Sequence, residues 1–327
     1  MTDSELKLKI KENAPRISVI MSVYNAAFFL RQAIDCILEQ TFKDFELVCV
    51  NDGSTDDSLK ILKEYASKDK RVKIISQKNQ GAAATRNAGI KVAKGKWFLF
   101  LDSDDFFEKN MLEKMIAIGE KELSDIVVAG YFFHCQDKDV KTKQYPASLI
   151  KKSPCSPKLL KSNIYHIIPS NAWSKLFLAE KVLQNNVLFE NLSSCNDLTF
   201  VYVMCSLASQ ISFTNDCFVH YRTNTGFNIS ANRGDKAVCI LYALNALYQR
   251  LISLNLYSTF QKAFLRKTQK AVLWELSFCS KKERENIIRQ IDVVLPKDIA
   301  CSIKHCLKLQ KLFSLKNIKQ WFKNLFH

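Results

Sequence analysis

Trp97-Phe98-Leu99-Phe100-Leu101-Asp102-Ser103-Asp104-Asp105 is the stretch on which the reading of this chain turns. Its five consecutive apolar residues describe a strand buried on both faces. Three carboxylates follow within four positions. Carboxylates clustered at the carboxyl end of a buried strand are costly unless something positive sits there. In an open α/β sheet that edge is where ligands bind. Mg2+ and Mn2+ take oxygen ligands and share them with a substrate's phosphates. These nine residues alone also fit a solvated Asp-rich turn.

On the N-terminal side of this strand, segments with strand and helix character alternate. Residues 17–23, 45–50 and 72–76 are apolar and strand-like, and 126–133 forms a fifth such segment. Between them, 28–40, 58–66, 82–93 and 111–123 carry apolar residues at helical spacing. Strands separated by helices at this interval predict an α/β fold with a mostly parallel, Rossmann-like central sheet. Residues 136–158 interrupt the rhythm with charge runs, Pro146, Pro154 and Pro157, and are expected to form a linker or loop. From Asp235 onward the pattern is helical. The expected organisation is a polar leader (1–14), a ligand-binding half (15–134), a second half of the same domain (135–232) and a basic helical region (233–327).

A chain of 327 residues can bury a full core, and 47% hydrophobic with 24% charged residues is ordinary for a globular protein. No apolar run approaches the roughly 18 residues of a membrane span. Met1 to Asn13 is charged and lacks an apolar signal core, which points to a cytoplasmic protein. The eleven cysteines occur without a Cys-x-x-Cys pair, as expected for a reducing compartment with no zinc or disulfide framework. The net charge of +16 is uneven. Residues 1–130 carry 20 basic and 20 acidic side chains, whereas 131–327 carry 28 and 12. A basic second half suits an anionic partner. Its basic residues sit in amphipathic helices and are not interleaved with aromatics, so no nucleic acid partner is expected.

If the sheet is parallel, four polar segments end strands on one rim. They are Val23-Tyr24-Asn25, Asn51-Asp52-Gly53-Ser54-Thr55-Asp56-Asp57-Ser58, Asn79-Gln80-Gly81 with Arg86-Asn87 on the next helix, and Asp102-Ser103-Asp104-Asp105. Each alone can be a turn and helix cap. Together they offer carboxylates for a ribose or base, glycines for close backbone approach, and an arginine for phosphate. That describes a nucleoside-diphosphate site using a metal. Neither Gly-x-Gly-x-x-Gly nor a Gly-Lys-Ser/Thr loop is present, which disfavours dinucleotide oxidoreduction and P-loop hydrolysis.

Residues Ile17 to Asp105, through SVIMSVYN, QTFKDFELVCVNDGSTDDS, NQGAAATRNAGI and FLFLDSDD, resemble the nucleotide-sugar domain of inverting family 2 glycosyltransferases. These have the GT-A fold, and the likeness is to the bacterial surface-glycan type. The resemblance implies that Asp52 binds the uracil of a UDP-sugar and Tyr24 packs near the base. It places Arg86 beside the donor, Asp102 at the ribose, and Asp104 on Mn2+ or Mg2+. Asn25 and Ser103, on the same loops, join the nucleotide-sugar set. The family's base is the Asp of an acidic pair opening a helix in the second half. Here that pair is Asn196-Asp197, so Asp197 is the candidate base and its neighbour is neutral. Trp173 and Lys175, in Ala172-Trp173-Ser174-Lys175, fall on the acceptor side, although Trp173 also suits core packing. His220-Tyr221-Arg222-Thr223-Asn224 resembles a Tyr-Tyr-Arg segment that relatives often follow with a metal-binding His. Asn224 stands at that place and His220 lies before the tyrosine, so either is a candidate further metal ligand. Arg222 and Arg233 are phosphate candidates.

The implied reaction is transfer of a hexose or N-acetylhexosamine from UDP to a hydroxyl of a glycan, lipid-linked or protein acceptor. A catalytically weak nucleotide-sugar-binding subunit is the alternative. Ile318, Trp321, Phe322 and Leu325 share one face of a terminal helix opposite Lys316, Lys319 and Lys323. Such a helix suits a membrane interface on the inner face or docking on the protein body.

Overall fold

The computed structural model describes residues 14–135, 138–142, 145–223 and 234–312. In chain order these form β1 (Ile17–Val23), α1 (Ala27–Leu38), β2 (Phe45–Asn51), α2 (Ser58–Lys68), β3 (Val72–Ser76), α3 (Ala82–Val92), β4 (Trp97–Asp102), β5 (Phe106–Phe107), α4 (Met111–Lys121) and β6 (Ile126–Cys135). There follow β7 (Lys138–Lys141), three single-turn helices α5 to α7 (Ala147–Ile150, Pro157–Leu160 and Ile164–Ile167), β8 (Lys175–Leu178), α8 (Ala179–Gln184), α9 (Asn196–Leu207) and β9 (Ile211–Arg222). The helical region is α10 (Cys239–Ser253), α11 (Tyr257–Phe278), α12 (Lys281–Val294) and α13 (Lys297–Leu312). The expected leader, Asn224, Arg233 and the amphipathic segment 316–326 lie outside the described residues.

The α/β class and the helical C-terminal region are as the sequence predicts. The sheet runs β3-β2-β1-β4-β8-β6-β9-β5, with β7 added on β6. Strands β3, β2, β1 and β4 are mutually parallel. Beyond β4 the sheet is mixed, because β8 inserts antiparallel between β4 and β6. The fifth strand-like segment of the sequence, β6, therefore does not lie beside β4. Apolar runs report burial but not direction, so this insertion leaves no mark in the sequence pattern.

Alternate residues of the central strands feed two cores, one on each face. Ile20, Phe98 and Phe100 pack with α9 and the helical region. Val19, Met21, Leu99 and Leu101 pack with α1 and α4. This two-sided burial explains the unbroken apolar runs. On the first face, Phe100 meets Phe177, Phe189 and Phe200 at ring-centroid distances of 6.0, 4.9 and 5.2 Å. Phe189 stacks on Phe200 at 4.1 Å. This cluster ties α9 to the strand that ends in Asp102.

The expected linker, 136–158, is a correction. Within it β7 pairs antiparallel with β6, Leu149 and Cys155 are buried, and Cys155 bridges Ile211. Its few apolar residues are enough to anchor it, although charges and prolines dominate its composition. All eleven cysteines fall in described segments, and none forms a disulfide there. Among the described residues no helix is long and apolar enough to cross a membrane.

The base of the parallel sheet holds a buried polar knot. Glu46 accepts hydrogen bonds from Ser18 Oγ at 2.6 Å and from Lys94 N at 2.7 Å. Ser18 Oγ in turn accepts the Gly95 N–H at 2.8 Å. A Cβ on Gly95 would stand 2.4 Å from Ser18 N and 2.7 Å from Ile17 C. Both are backbone atoms that cannot yield without moving β1. Gly95→Ala is therefore expected to destabilise the fold by about 1–3 kcal/mol through overpacking, read as a lower urea midpoint with an unchanged slope.

Candidate active site

The four polar loops do converge at the carboxyl ends of β1 to β4. Asn25 adopts φ 46°, a left-handed conformation that asparagine tolerates. Its N–H donates to Ser54 Oγ at 3.1 Å and its Oδ1 accepts from Thr55 N at 2.8 Å. Asn25 thus joins two loops, and Tyr24 is left half exposed on the cleft wall. Asp52 lines the cleft but also organises it. Its Oδ1 accepts from Gln77 Nε2 at 2.7 Å and Gln80 N at 3.0 Å, and its Oδ2 accepts from Gly81 N at 2.8 Å. These contacts leave Oδ2 one free lone pair for a ligand N–H. Gly53 has φ +70°, and a Cβ there would meet Asn79 N at 2.9 Å. The Asn-Asp-Gly-Ser turn therefore requires that glycine.

Arg86 is the centre of the site. From α3 its Nη2 donates to Asp102 Oδ1 at 2.7 Å. Its Nη1 donates to Asp197 Oδ1 at 2.9 Å and Asn196 Oδ1 at 3.2 Å. Arg86 is 6% exposed, and its guanidinium carbon lies 5.3 Å from the Phe189 ring centroid. The sequence reading gives Arg86 to the donor. The structure shows it spent on the protein's own carboxylates, with one edge still on the cleft. Burial opposes its charge, but Asp197 and Asp102 hold it firmly protonated.

The three carboxylates of the quoted stretch diverge. Asp102 and Asp104 line the cleft with Ser103. Burial, and then the charge of Asp102, push the Asp104 carboxyl up to about 6. Asp105 is fully buried, and its Oδ1 accepts the Arg222 N–H at 2.9 Å. Arg222 is a correction. Its guanidinium donates to the Asp104 carbonyl and to Gln32 Oε1, and it lies over the rings of Phe29 and Phe106 at 4.8 and 4.6 Å. It braces the acidic loop and does not line the cleft.

His220 is a second correction. Its ring is stacked between Phe106 and Phe132 at 4.3 and 4.5 Å. Glu108 lies 2.9 Å from Nε2 and Asp139 lies 2.9 Å from Nδ1. Nε2 is hydrogen-bonded to Glu108, Nδ1 faces Asp139, and the ring does not line the cleft, so His220 is a strut of the sheet.

Asp197 lies in the first turn of α9, two residues after Cys195, which is in a left-handed conformation at φ 59°. Its Oδ2 accepts the Ala172 N–H at 3.0 Å. Burial raises its pKa above the ordinary carboxylate value, against the opposing charge of Arg86. Trp173 stacks on Tyr221 at 5.3 Å and meets Tyr131 edge-on at 4.6 Å, forming an aromatic wall. Lys175, expected on the acceptor side, is fully buried. Its Nζ donates to Asn171 O at 2.6 Å and Ser174 Oγ at 3.2 Å, so it staples the loop that presents Ala172. Burial pushes its ammonium down to about 7.

One cleft of about 1300 Å3 spans both halves, from Tyr24 and Asp52 past Arg86, Asp102, Asp104 and Asp197 to Trp173 and α11. Hard divalent cations take one or two carboxylates plus substrate phosphate oxygens. Asp104 fits that role, as a partly buried carboxylate whose charge no protein cation fully offsets. Among the described residues no cluster of three or more His, Cys, Asp or Glu side chains forms a closed cage. The sequence reading missed Gln32, Phe189, the Ala172 N–H and the contact of Asn196 with Arg86. Only the unusual Asn196-Asp197 pair left a local signal.

The model of the family described as glycosyl transferase family 2 matches residues 18–183. The glycosyltransferase GlyG of Streptococcus pneumoniae serotype 4 is 29% identical over 270 residues, covering 75% of this chain and 88% of that protein. The cholesterol galactosyltransferase of Borreliella burgdorferi is 32% identical over 212 residues, covering 62% of this chain and 59% of its own length. Among solved structures, S. aureus TarS 1–349 in complex with UDP-GlcNAc superposes with a TM-score of 0.61 at 21% identity. That match covers 94% of this chain and 92% of TarS 1–349. The mannosyltransferase PcManGT from Pyrobaculum calidifontis, in complex with GDP-Man and Mn2+, gives 0.52 at 13% identity, covering 94% and 83%. At these identities the structural likeness is one of fold.

Two outcomes follow from the electrostatics. Arg86→Met removes the buried cation shared by two partly buried carboxylates and is expected to cost up to about 3–5 kcal/mol. Asp197→Asn in the same chain should recover part of that loss in a double-mutant urea cycle. Asp104 has a folded pKa of about 6 against an ordinary 3.8. Between these values the folded chain holds a proton that the unfolded chain releases, so stability falls as pH rises through the window. Asp104→Asn should therefore raise the melting temperature of the ligand-free protein at pH 7.5, and the gain should vanish below pH 4.

Proposed function

The chain belongs to glycosyl transferase family 2, a family of glycosyltransferase enzymes, and from that premise we propose a specific reaction. A hexose or N-acetylhexosamine passes from a UDP-sugar to an acceptor hydroxyl by a metal-assisted single displacement that inverts the anomeric carbon. The observation that carries this reading is the Arg86 bridge. It joins Asp102, on the donor rim, to Asp197, on the opposite wall of the same cleft.

In this scheme the uracil lies toward Tyr24 and the free lone pair of Asp52, and the ribose toward Asp102. Asn25 and Ser103 line the path between them. The diphosphate reaches Asp104, which would hold Mn2+ or Mg2+ with the phosphate oxygens. The cation, when bound, neutralises the charge that develops on the departing UDP. Asp197 takes the acceptor's proton as the hydroxyl oxygen bonds to the anomeric carbon. The bond from that carbon to the phosphate oxygen breaks, and its electron pair leaves with UDP. Arg86 and the Ala172 N–H fix the orientation of the Asp197 carboxylate. Arg86 also keeps it ionised against the effect of burial, and burial keeps it a stronger base than an exposed aspartate. Trp173 supplies an apolar wall for the acceptor sugar. The acceptor is a glycan or a lipid-linked or protein-borne sugar, and synthesis takes place on the cytoplasmic side.

UDP release from UDP-glucose, UDP-galactose and their N-acetylated counterparts, with and without Mn2+, tests the reading. Asp197→Asn is expected to lose roughly 10^2–10^4 in turnover while still binding UDP with metal. Asp104→Asn is expected to lose the metal-dependent part of UDP binding. Full turnover by the Asp197 variant would remove that residue as the base. An axial product from an axial donor, read by NMR coupling constants, would exclude inversion.

A further inference from the structure

The end of the cleft away from Asp102 and Asp104 is built differently. It is walled by α11, whose residues Lys267, Lys270, Ala271 and Trp274 line the space as one helical stripe. Lys267 is partly buried, and its Nζ lies 5.1 Å from the Tyr202 ring centroid. Among the described residues it has no carboxylate and no hydrogen-bond partner, so its charge is held half out of water without a counter-ion. Burial pushes that ammonium down to about 8. Lys270 stands close enough that the charge of Lys267 adds to the effect of burial in depressing its own pKa. Lys270 Nζ is also 3.2 Å from His166 Nδ1. Glu275, on the same stripe, lies eight residues past Lys267, about 12 Å along the helix axis, too far to compensate it.

A protein gains nothing in stability from crowding desolvated cations against one wall. An anion in the cleft would offset that cost. The diphosphate of the donor belongs at the other end, beside Asp104. The basic end instead adjoins the base. Tyr202, under Lys267, sits on α9, the helix that Asp197 opens, and Cys195 is near enough to influence the Lys267 charge. Trp274 lines this end as a partly exposed surface on which a sugar ring can stack, whereas Trp173 is largely buried against Tyr221.

We propose that the acceptor is an anionic sugar, and that Lys267, with Lys270 and His166, binds a phosphate or carboxylate group on it so that its hydroxyl faces Asp197. The proposal rests on the glycosyl-transfer reading and adds the acceptor's chemical class to it. The test is calorimetric titration of the full chain, saturated with UDP and Mn2+, with methyl glucoside, glucose 6-phosphate and methyl glucuronide. At least one charged sugar should bind ten-fold or more tightly than the neutral glycoside. Lys267→Met should abolish that preference, whereas Lys262→Met, exposed on the same helix outside the cleft, should keep it. A gain confined to glucose 6-phosphate names a phosphate, and one confined to the glucuronide names a carboxylate. Equal affinity for charged and neutral sugars, binding by none of them, or a preference that survives Lys267→Met would overturn the proposal. Failure of the chain to bind UDP at all would instead sink the glycosyl-transfer reading beneath it.

Discussion

A single buried guanidinium holds this site together. Arg86 binds Asp102 at the end of β4 and Asp197 at the start of α9, residues 95 positions apart in sequence. Two carboxylates on facing walls of a cleft repel, and burial raises the cost of keeping both ionised. One arginine offsets both charges and fixes their spacing by the rigid geometry of its fork. The same contact that stabilises the fold therefore sets the spacing between Asp102 and Asp197 across the cleft.

The apolar core makes that contact possible. Phe100 lies two residues before Asp102, on the same face of β4. Phe200 lies three residues after Asp197, on the same side of α9. The packing of Phe100, Phe189 and Phe200 brings the two carboxylates within reach of one arginine. Phe189 also forms the apolar floor under Arg86. Hydrophobic burial positions the elements, and the guanidinium bridge refines their spacing.

Several residues of types common in active sites support the site without facing it. Arg222, His220 and Lys175 are each buried and each bind the protein's own groups. Each braces something that does face the cleft, respectively the acidic loop, the sheet beneath it and the loop bearing the Ala172 N–H. A buried ionisable group must be paired, so burial alone does not separate a strut from a reactive group. Lys267 differs from all three: among the described residues it has no carboxylate or hydrogen-bond partner, and it lines the cleft beside α9.

The chain's local patterns determined a great deal. Apolar runs bounded by helical periods specified β1 to β4 and the helices between them, because those strands are covered on both faces and show it as uninterrupted hydrophobicity. The polar loops at their carboxyl ends, including the glycine turn at Gly53 and the Asp102-Ser103-Asp104 cluster, were legible because turn chemistry is local. The insertion of β8, the anchoring of 145–158, the pairing of Arg86 with Asp197 and the burial of Lys175 were not. Each depends on contacts between segments far apart in sequence, and a residue's type records its capacity for an interaction but not its partner. The sequence could name Asp197 as a base candidate. Only the tertiary structure decided that Arg86 faces it, that Asp105 and His220 turn away from the cleft, and that Lys267, with no carboxylate partner among the described residues, lines its far end.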